Sequence, residues 1–466
     1  MKSFDLIVVG GVVVTPRERF RADVAVKDGR IAGLLQPGAC SNAEETVDAT
    51  GLYVLPGLID SHVHTRYPGN PKRETFATGT CAAAAGGITT ILEHPISDPA
   101  VHSATVLADR IRACAPQAYV DYAMFGGAGE ENIQSIPGLA EAGAIAFKTF
   151  LHAAPEGRER EFFGLTATSD GAVREILGAV AQTGRLAAVH AESDSVVRYC
   201  TSRLRAQGRN TGIRTHHASR PVIAEIASCA SLLELARDAG ARLLVCHVSG
   251  GSVAAYLRGA RERGHHVLVE TCPHYLFLDL EDVADMGPYA RINPPIRDSQ
   301  EQKALWTELS RGTIDFIGSD HGPFLKEEKD RGWESIWASP CGAVGLETTV
   351  PLLLEAVSAN RMRLEDIASL MSENTAREFG IWPRKGSLAV GSDGDLTVVE
   401  LGPRQKIEKR RMFTKAKETA VMYEGREVRG RVVRTIVRGS TVFENGRIVG
   451  REGHGMLITP SSAKKA

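Results

Sequence analysis

The chain has 466 residues, with 55 lysines and arginines against 56 aspartates and glutamates and a formal net charge of -1. That balance excludes the strong field that recruits nucleic acid or an anionic membrane. A content of 43% hydrophobic and 24% charged residues excludes a disordered chain, and the apolar runs, such as Ile7 to Val14, fall far short of the roughly 20 residues that span a bilayer.

The opening Met-Lys-Ser-Phe-Asp-Leu carries no small-residue cleavage site, so no signal peptide is expected. The cysteines at 40, 81, 114, 200, 229, 246, 272 and 341 form no Cys-x-x-Cys pair. Reduced thiols in a cytoplasmic protein are the expectation.

The first segment reads as β. Asp5 to Thr15 is rich in valine with a turn at Gly10-Gly11, and Ala22 to Leu34 alternates around Asp28-Gly29, a hairpin signal. The end of the chain behaves likewise: Asp395 to Leu401 reads as a strand, and Val432 to Val449 alternates around Asn445-Gly446. Two β-rich ends around a different middle predict one small β-sandwich built from 1–55 and 385–466, with Pro460 to Ala466 frayed.

The middle, 56–384, alternates short apolar runs with amphipathic stretches such as Val222 to Ala239 and Gln302 to Leu309. The runs are Leu55–Ile59, Ile88–Leu92, Ala118–Phe125, Ala144–Phe150, Leu186–Val189, Leu243–Cys246, Val267–Val269 and Asp315–Ile317. Eight strands alternating with helices predict an α/β fold, a (β/α)8 TIM barrel.

Chemistry in such a barrel sits where the strands end. The first run leads into Asp60-Ser61-His62-Val63-His64-Thr65-Arg66. In His-x-His both imidazoles project from one side of an extended chain, as metal binding requires; alone, the pair is equally a structural one. The fourth run holds Lys148, the fifth ends at His190, the sixth at His247 and the eighth at Asp320. A lysine inside an apolar strand is costly to bury charged. It either snorkels or is modified, for instance by CO2 to a carbamate, an anionic oxygen ligand. His62, His64, Lys148, His190, His247 and Asp320 on one rim suit two divalent ions, with Zn2+ the default. Paired ions serve hydrolysis, with Asp320 as a ligand that takes the proton from water and passes it to the leaving nitrogen. His321 is expected at most to support this set, and His216-His217 and His265-His266 are expected to be surface or structural.

With these stretches the sequence resembles the amidohydrolase superfamily, and within it the cyclic amidohydrolases: allantoinase, dihydroorotase and the hydantoinase/dihydropyrimidinase group. The resemblance runs through Pro56 to His64, Ala82 to Thr90, Phe147-Lys148, Ser219-Arg220-Pro221, Cys246 to Ser249, Cys272 to Tyr275, Asn293 to Arg297 and Ser319-Asp320-His321. It implies a carboxylated Lys148, a binuclear centre, a small cyclic amide or ureide substrate and a homotetramer. Allantoinase is the nearest of the three across His217 to Asp320. Dihydroorotase is resembled at Arg66, where its arginine binds the substrate carboxylate, and at Asn293. Against it, Ile96 stands where that enzyme has a substrate-binding asparagine. Against hydantoinase, Ala153 stands where that group has a tyrosine. Non-catalytic relatives of dihydropyrimidinase lack parts of the ligand set, which is complete here.

Arg66 and Asn293 are thus the expected substrate contacts. The alternative for Arg66 is a structural ion pair with an acid such as Glu74. The segments 153–171 and 324–340, the second with Trp333 and Trp337, are expected as a lid, an oligomer contact or plain loops.

Overall fold

The computed structural model describes residues 3–39 and 42–461. Cys40 and residues 462–466 of the expected frayed tail lie outside the described residues. Pro460 is buried and Ser461 N donates to Gly380 O at 2.9 Å, so the tail is still anchored where fraying was expected to begin.

The middle of the chain forms a parallel (β/α)8 barrel. Its strands are Leu58–Val63, Ile88–Glu93, Asp121–Met124 with Gly126–Gly127, Phe147–Phe150, Leu186–His190, Arg242–Val245, Val267–Thr271 and Phe316–Ile317. Most of these residues are buried, as expected for strands covered on both faces. The third strand changes partner at Phe125: Phe125 N donates to Glu93 O, while Gly126 N donates to Ala146 O. The barrel closes where Val63 bridges His321 and His64 N donates to His321 O at 2.8 Å. A glycine is needed at Gly318, because a Cβ there would stand 2.8 Å from the His62 Cβ and from Ser61 Oγ. This close approach brings the eighth strand against the first and sets Asp320 beside the His-x-His pair.

The two chain ends share sheets. A seven-stranded sheet has the order Arg447–Ile448, Ser440–Glu444, Glu427–Val437, Leu396–Lys406, Tyr53–Pro56, Val12–Val14, Arg19–Arg21. A four-stranded sheet has the order Arg30–Leu35, Asp23–Lys27, Phe4–Val9, Ala43–Asp48. Leu6, Val24 and Val26 of the second pack with Val13, Val54, Val398 and Ile436 of the first into one apolar cluster, making a β-sandwich. Both hairpin signals form turns with positive φ, at Asp28-Gly29 and Asn445-Gly446.

One run needs correction. Leu55–Ile59 is not one strand: Leu55-Pro56 end the sandwich strand and Leu58 begins the barrel strand. The chain crosses between the two at Gly57, where a Cβ would lie 2.3 Å from Thr89 Oγ1 and 2.4 Å from the Asp395 Cβ. Both strands are apolar, so the run shows no seam. Val222–Ala239 is a helix as expected, and Ser299–Ser310 extends its predicted core to an Asp298 N-cap that accepts from Gln300 N and Glu301 N. Among the described residues, no helix is long and apolar enough to cross a membrane.

Candidate metal centre

The six predicted ligand positions come from five strand ends and face one another. His62 Nε2 lies 3.2 Å from His64 Nε2, and both lie 3.4 Å from Asp320 Oδ1. His190 Nδ1 lies 3.1 Å from His247 Nε2. The His62 and His247 rings are 5.2 Å apart, which joins the two pairs. Lys148 is fully buried, so it does not snorkel; among the described residues its Nζ meets no carboxylate or carbonyl oxygen in a hydrogen bond, and it stands 5.0 Å from the Phe150 ring.

Three of the residues that shape this mouth leave ordinary backbone geometry. Arg66, His247 and Asp320 have φ of 60°, 39° and 49°. Left-handed backbone is costly for residues with a Cβ and clusters at functional sites. Glu93 supports the first of them: it accepts from Thr65 N at 3.0 Å, Thr65 Oγ1 at 2.9 Å and Arg66 N at 3.3 Å, and is itself paired with Arg110. Glu270 supports the second by accepting from His247 N at 3.2 Å.

Burial dominates the electrostatics. It holds His62 and His247 well below the ordinary histidine range and His64 down to about 4. Neutral imidazole is the form that ligates a metal. Burial alone would raise Asp320, but the bond and charge of His64, then His274 and Lys148, together hold it below the usual carboxylate range. Burial pushes Glu270 up to about 7, although Ser61 opposes it, and Arg220 holds the equally buried Glu192 low. The neutral imidazoles, the ionised Asp320 and the orphaned Lys148 Nζ form a nitrogen and oxygen donor set that fits divalent ions.

Arg66 is also at this mouth, but its acid neighbour is not Glu74. Glu161 Oε2 is 3.7 Å from Arg66 Nη1, while Glu74 bonds Thr78 and Thr414. Beyond the Glu161 ion pair, Arg66 Nε and Nη1 are buried without a hydrogen bond among the described residues, and the guanidinium lies 4.2 Å over the Phe324 ring. Burial, then Arg158, pulls it down to about 9. Glu161 comes from the 153–171 segment and Phe324 from the 324–340 segment. Arg73 ties the two, with Nη1 3.1 Å from Glu161 Oε1 and Nη2 2.6 Å from Glu328 Oε1. Asn293 is half-buried with Oδ1 unpartnered, and among the described residues no hydrogen bond joins it to the histidines.

Three residues here were not singled out from the sequence. His94 stacks on His62 with centroids 3.8 Å apart, and its ligand atom falls in one group with those of His62 and His64. Glu270 bonds His62 Nδ1 at 2.6 Å, and Glu192 bonds His190 Nε2 at 2.8 Å. All three stand at or just beyond strand ends, so the rule applied to the other strands reaches them. His321 is fully buried and accepts from Gly345 N at Nδ1. His216 is structural, bonded to Ile292 O at 2.8 Å.

The Amidohydrolase family model matches residues 53–442. The chain belongs to the amidohydrolase family. This amidohydrolase is 34% identical over 458 residues to an L-hydantoinase of Paenarthrobacter aurescens, covering 98% of each chain. It is 37% identical over 463 residues to an allantoinase of Deinococcus radiodurans, covering 99% of this chain and all of that one (100%). Among solved structures, the L-hydantoinase of Arthrobacter aurescens superposes with a TM-score of 0.93 at 34% identity, covering 98% of this chain and 100% of that one. A D-hydantoinase superposes with a TM-score of 0.90 at 31% identity, covering 98% and 99%.

Proposed function

We propose that this amidohydrolase opens a cyclic amide or ureide ring at a C–N bond, in the manner of an allantoinase, using two divalent ions. The carrying observation is the meeting of His62, His64, His190, His247, Lys148 and Asp320 at one barrel rim, with the His62, His64 and His247 imidazoles held neutral by burial and the lysine amine paired with no carboxylate among the described residues. His62 and His64 with Asp320 would hold one ion, and His190 with His247 the other. Lys148, carboxylated by CO2, would serve both, and Zn2+ is the default metal. Such a pair supplies Lewis-acid polarisation of the ring carbonyl and a more acidic water.

The rest falls to the chain. Asp320 is kept ionised against its burial by His64, His274 and Lys148 together, so Oδ1 is able to take a proton from water and return it to the departing ring nitrogen. Arg66 offers Nε and Nη1, neither of them hydrogen-bonded among the described residues, to a ring oxygen or carboxylate, and Asn293 offers a carbonyl oxygen with no hydrogen bond. The short helix Glu159–Phe162 and Phe324 would cover the bound ring and limit water. A cytoplasmic homotetramer completes the reading.

A hydantoinase is the second reading, favoured by the superposition on an L-hydantoinase. The deciding experiment uses protein grown with bicarbonate and reconstituted with zinc. It is offered allantoin, dihydroorotate, substituted hydantoins, dihydrouracil and cyclic imides. Hydrolysis of allantoin above the others is expected, and preference for a hydantoin selects the second reading. No turnover of any ring by a metal-loaded protein overturns both, and absence of bound metal points to a scaffold.

A further inference from the structure

The outer nitrogens of the four rim imidazoles are treated unequally. His62 turns Nδ1 to Glu270 Oε1 at 2.6 Å, and His190 turns Nε2 to Glu192 Oε2 at 2.8 Å. The Nδ1 atoms of His64 and His247 are buried with no partner. A neutral imidazole has one N–H; Glu270 already accepts at both oxygens, from Ser61 Oγ and the His247 N–H, and Glu192 accepts from Arg220, so each acid meets its imidazole as an acceptor and the hydrogen sits on the nitrogen that faces it. Glu270 therefore holds His62 as the Nδ1–H tautomer, and Glu192 holds His190 as the opposite, Nε2–H, tautomer. The lone pairs left bare are His62 Nε2, 3.2 Å from His64 Nε2, and His190 Nδ1, 3.1 Å from His247 Nε2. Each pair thus contains one ring whose outer nitrogen is bonded to an acid and one whose outer nitrogen has no hydrogen-bond partner among the described residues.

The two acids differ in reach. Glu192 is bound by Arg220 and touches only the His190 side. Glu270 also accepts from Ser61 Oγ at 2.7 Å and from the backbone N–H of His247 at 3.2 Å. It therefore spans both pairs, holding the ring of one and the left-handed backbone of the other.

We propose that Glu192 and Glu270 are positioning residues that assign opposite histidine tautomers to the two halves of the centre, Glu192 serving the His190–His247 half alone and Glu270 both halves. This rests on the binuclear reading above. Groups that orient ligand histidines typically change metal affinity about 10–100-fold when removed.

The test is a titration of metal-free protein with Zn2+ against a chromogenic chelator, for wild type, Glu192→Ala, Glu192→Gln and Glu270→Gln. Glu192→Ala is expected to weaken one of two zinc affinities about 10–100-fold and leave the other unchanged. Glu192→Gln keeps an accepting oxygen and is expected to fall between wild type and Glu192→Ala. Glu270→Gln is expected to weaken both affinities. Two unchanged affinities in Glu192→Ala, or an equal loss of both, overturns the proposal while leaving the binuclear reading intact. A wild-type protein that takes up no zinc overturns both. If Glu270→Gln does not fold, the Glu192 pair still decides.

Discussion

Two buried clusters of acids and bases sit at opposite ends of the barrel, and each contains a lysine. At the ends of the strands, Lys148 lies among His62, His64, His190, His247 and Asp320. At the starts, Asp121 opens the third strand and meets Asp393, Asp395, Lys385 and Arg438 from the sandwich side. Each end brings three metal-capable side chains within 4.8 Å of one another. The difference is whether the charges are already answered. Lys385 Nζ bonds Asp121, lies 2.6 Å from Asp395 Oδ2 and 3.0 Å from Asp393 Oδ2, and Arg438 takes the remaining oxygen of Asp121. Among the described residues no carboxylate pairs with Lys148 Nζ. A cluster that supplies its own cation is a clasp between barrel and sandwich, whereas one that leaves an amine and several lone pairs unanswered is a receptor.

The largest expected effect follows from exchanging the lysines' fates. Lys148→Ala should lose bound metal and with it turnover, with partial rescue by a short carboxylic acid such as acetate, measured by metal analysis and ring-opening rate. Full metal content in that variant would contradict the carbamate. The next effect separates holding a metal from using it. Asp320→Asn should keep both ions and lose about 10²–10⁴-fold in kcat, the usual worth of a general acid–base group. Undiminished hydrolysis would remove Asp320 from proton transfer.

At the other end the same kind of change should alter stability and not chemistry. Lys385→Met leaves Asp121, Asp393 and Asp395 buried without their shared ammonium. Breaking a buried ion pair from one side costs about 3–5 kcal/mol, so the urea midpoint should fall by a corresponding amount. Metal content and kcat of the folded fraction should stay as in the wild type. A change in metal content would show that the two clusters are coupled and that the comparison is wrong.

How much of this was legible depends on whether a signal is carried along the chain or only across it. The barrel strands are apolar runs, and Lys148, His190, His247 and Asp320 each stand at the end of one, so reading strand by strand finds them. Glu270 acts on His62 from 208 residues away and leaves no spacing pattern that ties the two. Arg66 shows the opposite failure: Glu74 is near in sequence, but the chain turns left-handed at Arg66 and the guanidinium meets Glu161 of a distant loop instead. The clasp was invisible for the same reason, since Asp121 lies in a run that reads as an ordinary strand and Lys385 at the expected start of the sandwich, 264 residues away.

The smallest expected effect is a pH dependence confined to the clasp. Burial pushes the Lys385 ammonium down, but Asp395, Asp121 and Asp393 outweigh it and hold its pKa above the ordinary lysine value. A cation that is harder to deprotonate folded than unfolded contributes its full stability below the unfolded value, and that contribution is lost as pH rises through the lysine range towards the folded one. The gap in urea midpoint between wild type and Lys385→Met should therefore be widest near about pH 8 and narrow by about pH 11. Other lysines and tyrosines titrate in both proteins alike, so the difference isolates this one group. A gap that stays constant across that range would mean that Lys385 matters for the space its chain fills. The contrast between an answered and an unanswered cluster would then rest on packing and not on charge.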